Sequence, residues 1–226
     1  MKAVLEELPK AKSRNPKKNG TKIEVPSFLG EKMGKGIKIG MVNMDEDEDV
    51  SEWNIHGETI PINFDKVSQF FNWTDLFPEW IDEEEESDVP TCPELPMPEF
   101  TTYENMDLIV AKLPCKYPLE GWGREVLRLQ VHLIVANMVV KKGKKDWKWK
   151  SKVVFWSKCR PMLEIFRCDD LVKNEGDWWF YEVDVKKLEQ KISLPVGSCN
   201  LALPLWEQGM YSYTKFCIKV VKIKSE

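Results

Sequence analysis

Asp107-Leu-Ile-Val-Ala-Lys-Leu-Pro114 and, after a Pro and Gly loop, Arg124-Glu-Val-Leu-Arg-Leu-Gln-Val-His-Leu-Ile-Val-Ala-Asn-Met-Val-Val140 decide the fold of this chain. The first is a short apolar run closed by proline, the pattern of a buried strand. The second carries two competing periods, because Leu127 to Leu133 alternates strictly, as a half-buried strand would. Length separates them. Seventeen residues without a turn signal exceed a usual strand, the alternation breaks at Ile134, and Gly143 between lysines makes a helix stop. On a helix, Arg124, Arg128 and His132 share one polar stripe at four-residue spacing and Gln130 and Asn137 form a second, so the helix is expected to be buried on two sides. Lys152-Val-Val-Phe-Trp-Ser157 then supplies another strand, and strand, helix, strand is the order of a parallel α/β sheet.

Working outward, Ile37 to Asn43 predicts a strand, and Thr59 to Phe64 another, placed at an edge by Pro61. Asp177 to Tyr181 is a short aromatic strand or turn, followed by a helix over Val185 to Lys191 capped by Asp184. Leu201 to Trp206 is a candidate last strand, also at an edge because of Pro204. Residues 1–35 are polar and lysine-rich, a disordered lead-in; residues 36–206 make the α/β domain, with a mostly parallel sheet flanked by helices in a Rossmann-like arrangement; residues 207–226 are an irregular tail. Pro90 to Pro98 is an extended connector. No internal repeat is present.

A chain of 226 residues with 42% hydrophobic content can bury a real core, and its net charge of -4 argues against a nucleic-acid partner. Seven lysines nevertheless fall between Lys141 and Lys152, opposed only by Asp146. Cations suit a helix C-terminus, and an anionic ligand is the alternative. No apolar stretch is long enough for a membrane span, and no signal peptide precedes the chain as written. The six cysteines lack zinc-knuckle spacing and are read as buried thiols or disulfides.

Ordinary active-site patterns do not emerge. Gly30, Gly34, Gly36 and Gly40 precede a strand, whereas a phosphate cradle follows one. Asp45 to Asp49 contains Asp-x-Asp spacing, which suits a divalent ion, but an unbroken acidic run is ordinarily a solvated loop. Cys168-Asp169-Asp170 fits a helix cap better than a metal site. Of the two histidines, His56 and His132, the latter lies in a very apolar helix and is expected to be structural. Ten tryptophans invite a carbohydrate reading, because aromatic faces stack on sugar rings, and core packing competes with it.

Long, specific runs carry a resemblance: Trp73 to Glu85, Asp107 to Cys115, Glu120-Gly-Trp-Gly-Arg-Glu-Val126, Ser157-Lys-Cys-Arg-Pro-Met162, Phe166 to Val172, Glu175-Gly-Asp-Trp-Trp179 and Leu194 to Cys199. Together they resemble the plant glycogenin-like starch initiation proteins, that is, the UDP-glucuronate:xylan α-glucuronosyltransferases, over roughly Ile37 to Trp206. The resemblance implies a Golgi protein of secondary cell-wall xylan synthesis, in which this region precedes a glycosyltransferase family 8 domain. That domain would hold manganese and UDP-glucuronate through its own Asp-x-Asp. No catalytic or metal residue is carried over to this chain, and no cofactor is expected in it.

The resemblance stops near Gln208-Gly209, and Met210 to Glu226 departs from it, an ending expected of intron read-through ahead of the catalytic domain. The family's N-terminal anchor has no counterpart, so the chain as written is expected to be soluble and cytoplasmic, although the sequons at Asn19 and Asn72 would be used only in a secretory lumen. Three roles follow. The chain is a structural or interaction domain for the family 8 domain or other xylan-synthesis proteins. Alternatively it is a carbohydrate- or nucleotide-sugar-binding module, with Trp122, Trp178 and Trp179 stacking on xylan and the Lys141 to Lys152 cluster holding an acidic sugar or diphosphate. Least expected is a transferase in its own right.

Overall fold

The computed structural model describes Pro26 and residues 36–44, 57–77 and 95–193. The acidic run at Asp45, His56, Asn19, the aromatic and acidic residues from Trp80 to Glu86, the strand expected at Leu201 and the tail lie outside the described residues.

Six strands form one mixed sheet: β1 (Ile37–Val42), β2 (Gly57–Ile62), β3 (Leu108–Lys112), β4 (Lys150–Trp156), β5 (Leu171–Glu175) and β6 (Trp178–Asp184), in the order β2-β1-β3-β4-β6-β5. The first four are parallel, with β1 pairing both β2 and β3, while β6 runs antiparallel to β4 and β5. The parallel grammar therefore holds for the first two thirds of the domain, and a hairpin completes the sheet. β2 lies at an edge, where Pro61 costs no ladder donor. β5 was not anticipated: Lys173, Asn174 and Glu175 give it no apolar alternation, and its register shifts between Leu171 and Lys173.

Among the described residues, three helices accompany the sheet: α1 (Trp73–Leu76), α2 (Val126–Lys142) and α3 (Val185–Ile192). α2 is the expected helix, two residues later at each end. It stops at Gly143 for a steric reason: the glycine N–H caps Met138 and Val139 carbonyls at 2.9 and 3.1 Å, and a Cβ there would lie 2.6 Å from the Val139 carbonyl oxygen. The Asp184 carboxylate caps α3 as expected, accepting the Lys187 N–H at 3.2 Å. Cys168-Asp169-Asp170 instead forms a 3-10 turn whose acids do not cap it; Asp169 pairs with Arg167 at 2.8 Å and Asp170 faces Lys150 at 3.8 Å.

The larger core lies between the sheet and α2, joined by α3, and centres on Phe155, Phe166 and Tyr181, whose rings meet edge to face. The opposite face carries Ile39, Met41, Leu108, Val110, Val154, Trp178 and Phe180. Alternation along β6 divides its aromatics between the two faces. α2 is more buried than its polar stripes suggest: Arg128, Gln130 and His132 are all inside.

Candidate functional site

Segments leaving the carboxyl ends of β2 and β3, the two neighbours of β1, meet the first turn of α2 around a cleft of about 350 Å³. Strand order reverses at β1 and β3, and in open α/β sheets ligands settle outside the strand ends at such a reversal. Val67 to Gln69 and Phe71 to Trp73 line it from the segment after β2, Lys116, Glu120, Gly121, Trp122 and Arg124 from the segment after β3, and Glu125 to Leu127 from the start of α2.

The buried polar residues of α2 build this place. Gln130 carries the segment after β2: its Oε1 accepts the Val67 N–H at 2.9 Å, and its Nε2 donates to the carbonyls of Asp65 and Pro96 at 2.9 and 2.7 Å. Those three bonds satisfy the amide fully and fix a loop that has no ladder of its own. Arg128 carries the segment after β3, donating to the carbonyls of Gly123, at 3.3 Å, and Arg160. Its guanidinium lies 5.0 Å from the centre of the Trp122 ring, and Tyr117 meets that ring edge-on at 5.8 Å. Burial lowers the Arg128 pKa to about 10, with Glu164 and Glu125 opposing the shift, so it remains a cation at neutral pH.

His132 is structural, as its setting suggested. It accepts the Met162 N–H through Nε2 at 3.0 Å, which leaves Nδ1 to donate to the Arg128 carbonyl at 2.6 Å. Burial, with Arg128 nearby, pushes its pKa down to about 3. The imidazole is neutral and fully engaged.

Glu125 precedes α2 with its side chain 10% exposed. One oxygen pairs with Lys116 at 3.0 Å; the other is buried and has no hydrogen-bond partner among the described residues. Two more such atoms lie at the same end of the sheet, Oδ1 of Asn43 just past β1 and Nε of Arg128. Of these three, only the Glu125 oxygen belongs to a residue that lines the cleft. A disulfide between Cys115 and Cys159 joins the segments leaving β3 and β4, and Cys168 is disulfide-bonded as well.

The three tryptophans singled out for sugar contact have different settings. Trp122 is half-buried in the cleft wall. Trp178 is buried and stacked on Trp156 at 5.7 Å. Trp179 packs against the larger core and donates its indole N–H to the Ser157 carbonyl at 2.9 Å. The lysine cluster lies at the other end of α2, about 25 Å away along a helix of this length, so it and Trp122 do not share one site. Gln130, Glu125 and Lys116 were not singled out from the sequence; a glutamine inside an apolar helix was the available signal. Asn72, exposed, lies on the cleft rim.

Among the described residues, no three His, Cys, Asp or Glu side chains converge as a metal site requires, and no helix is long and apolar enough to cross a membrane.

The family model described as the GUX1-5 N-terminal domain matches residues 13–199. The chain belongs to that family. Members similar to it include UDP-glucuronate:xylan alpha-glucuronosyltransferase 2 of Arabidopsis thaliana, 60% identical over 215 residues, which are 92% of this chain and 36% of that protein. UDP-glucuronate:xylan alpha-glucuronosyltransferase 1 of the same plant is 41% identical over 184 residues, 77% of this chain and 27% of the relative. A putative fifth member is 41% identical over 174 residues, 74% and 31%. The chain thus spans about a third of the length of these curated relatives. No solved structure matches it. The cleft just described is therefore a feature of a GUX1-5 N-terminal domain, built in part by the Glu120 to Val126 run on which the family resemblance rested.

Proposed function

We propose that this domain serves a xylan glucuronosyltransferase as an accessory module that holds the neutral sugar chain of the acceptor in the cleft, without making bonds itself. The observation that carries this reading is Trp122, a half-buried indole in the cleft wall backed by a buried guanidinium. A pyranose ring has an apolar face to stack on the indole and hydroxyls to bond with the exposed side chains of Lys116, Glu120 and Arg124 around the cleft. Charge balance favours a neutral ring over a diphosphate, because Lys116 and Arg124 are matched by Glu120 and Glu125 around the cleft. The names of the relatives supply the polymer, xylan. Manganese and UDP-glucuronate then belong with the transferase's catalytic family 8 domain. The disulfides favour an oxidising lumen such as the Golgi as the working compartment, because cytosolic thiols are kept reduced.

Calorimetric titration tests this reading. Xylo-oligosaccharides should give heat with the purified chain, and Trp122→Ala should weaken that binding by roughly tenfold, the loss of one stacking contact. UDP-glucuronate with manganese should give none. Heat from the nucleotide sugar would move the donor site into this domain. Heat from neither, on folded protein, would favour a second role for the cleft, docking of another part of the transferase.

A further inference from the structure

The other end of α2 carries a feature that the cleft does not explain. Trp147 is 84% exposed and Trp149 50% exposed, in the turn between α2 and β4. The turn is firmly built. The Asp146 carboxylate accepts the N–H groups of Lys148 and Lys150, both at 2.8 Å, the Trp149 N–H reaches the Asp146 carbonyl at 3.0 Å, and Asp146 N–H reaches the Lys150 carbonyl at 2.9 Å. Trp149 holds φ of 59°, a left-handed conformation that bulky residues adopt rarely, and its carbonyl accepts the Val185 N–H at 3.0 Å. Two large indoles are thus fixed in water by a strained, fully bonded turn, a combination typical of recognition surfaces.

Ammonium groups surround these rings. Lys148 lies 4.5 Å from the centre of Trp147, and Lys186 and Lys145 lie 5.0 and 5.8 Å from the centre of Trp149. Some lysines of the cluster have ordinary duties. Lys145 donates to the Val140 carbonyl at 3.1 Å near the helix end, Lys144 pairs with Asp107 at 2.8 Å, and Lys187 faces Asp184 at 3.6 Å. Among the described residues, Lys148 and Lys186 have no carboxylate partner, and each lies over a tryptophan.

We infer that this basic, aromatic face binds a carboxylate-bearing polysaccharide, with sugar rings against Trp147 and Trp149 and uronate groups paired with Lys148 and Lys186. The inference rests on the family reading in one respect, since the reaction named for the relatives leaves glucuronate carboxylates on xylan. It concerns a surface separate from the cleft. An anionic membrane is the rival partner, and the surface fits it less well. Of the exposed large hydrophobic residues described, only the two tryptophans lie in this turn, with no aliphatic side chain to enter an acyl layer, and Asp146 is exposed between them.

The test compares full-length chain, Trp147→Ala and Lys148→Ala for binding to glucuronate-bearing xylo-oligosaccharides, the same oligosaccharides after carboxyl reduction, and phosphatidylserine vesicles. Wild type should bind the acidic ligand, lose most of that affinity in about 0.5 M salt, and bind the reduced ligand at least roughly tenfold more weakly. Both variants should show a similar roughly tenfold loss for the acidic ligand. Trp122→Ala should weaken the acidic and the reduced ligand alike through the cleft and leave the ratio between them unchanged, which separates failure here from failure of the cleft reading. Equal affinity for acidic and reduced ligands overturns the inference. So does retention on vesicles that depends on Trp147 while no glycan binds, or absence of acidic binding by a chain shown to be folded by circular dichroism.

Discussion

The two ends of α2 use the same residue types in opposite ways. At its beginning, Trp122 is half-buried, its cation Arg128 is 3% exposed, and Glu125 is paired with Lys116. At its end, Trp147 and Trp149 stand in water with lysines lying over them. A guanidinium held by two carbonyls fixes a ring from behind and leaves one face for a ligand; an ammonium on a flexible stem shares the exposed face and offers its charge. The contrast separates a shaped, nearly neutral cleft from a charged platform. It also predicts that damage to the first end is costly to the fold, whereas damage to the second is local.

The largest effect should come from the crosslink at the cleft end. Cys115 and Cys159 are 44 residues apart and tie the segments beyond two adjacent parallel strands. Chain entropy over a loop of that size is worth about 4 kcal/mol. Cys159→Ser should lower the unfolding free energy in urea by that order and weaken xylo-oligosaccharide binding, while a salt-sensitive interaction at the lysine end persists in whatever fraction stays folded. Equal losses at both ends per folded molecule would dissolve the distinction.

His132 gives the next effect, through pH. Its folded pKa is pushed down to about 3, below an unfolded value of about 6.5, so the unfolded chain binds the extra proton between those values. Stability from this group is full above the unfolded pKa and falls as pH drops toward the folded one, by up to about 1.4 kcal/mol per pH unit. Urea midpoints across that range check it. His132→Gln should lower stability at neutral pH and flatten the acid slope relative to wild type. An unchanged slope would mean that the buried imidazole is not the responsible group.

How much of this was readable in advance follows from how local each determinant is. The strand at Leu108 and the helix at Val126 announce themselves through length, period and Gly143, and Asp184 caps its helix from within one turn. The side chains that shape the cleft act at long range. Gln130 meets Val67, 63 residues away, and His132 meets Met162, 30 residues away, so sequence showed only that they share polar stripes. The stripes did not tell which partners those side chains reach, and the structure turns them inward to hold loops. β5 escaped notice because its pairing with β6, and not its own composition, makes it a strand. Trp178 and Trp179, read together as sugar contacts, fall on opposite faces of β6 as alternation requires, and of the three tryptophans so read Trp122 lines the cleft, where Trp73 joins it.

The smallest expected effect belongs to Asp146. Asp146→Ala removes the acceptor for the Lys148 and Lys150 amides, and because the carboxylate is exposed the global cost should be only about 1 kcal/mol. Its local consequence is more specific. Without those two bonds only backbone contacts, to Asp146, Lys150 and Val185, hold the turn and the left-handed Trp149, and the turn that presents both indoles loosens. Hydrogen exchange at Lys148 and Lys150 should then quicken while exchange at Val67, held by Gln130 at the other end, stays unchanged. Affinity for acidic oligosaccharides should fall severalfold through the ordering now required on binding, with neutral oligosaccharides unaffected. Faster exchange without loss of acidic affinity would show that the lysine charges act without a fixed aromatic platform. The second end of α2 would then be an electrostatic surface only, and the comparison with the shaped cleft would sharpen to one between a pocket and a field.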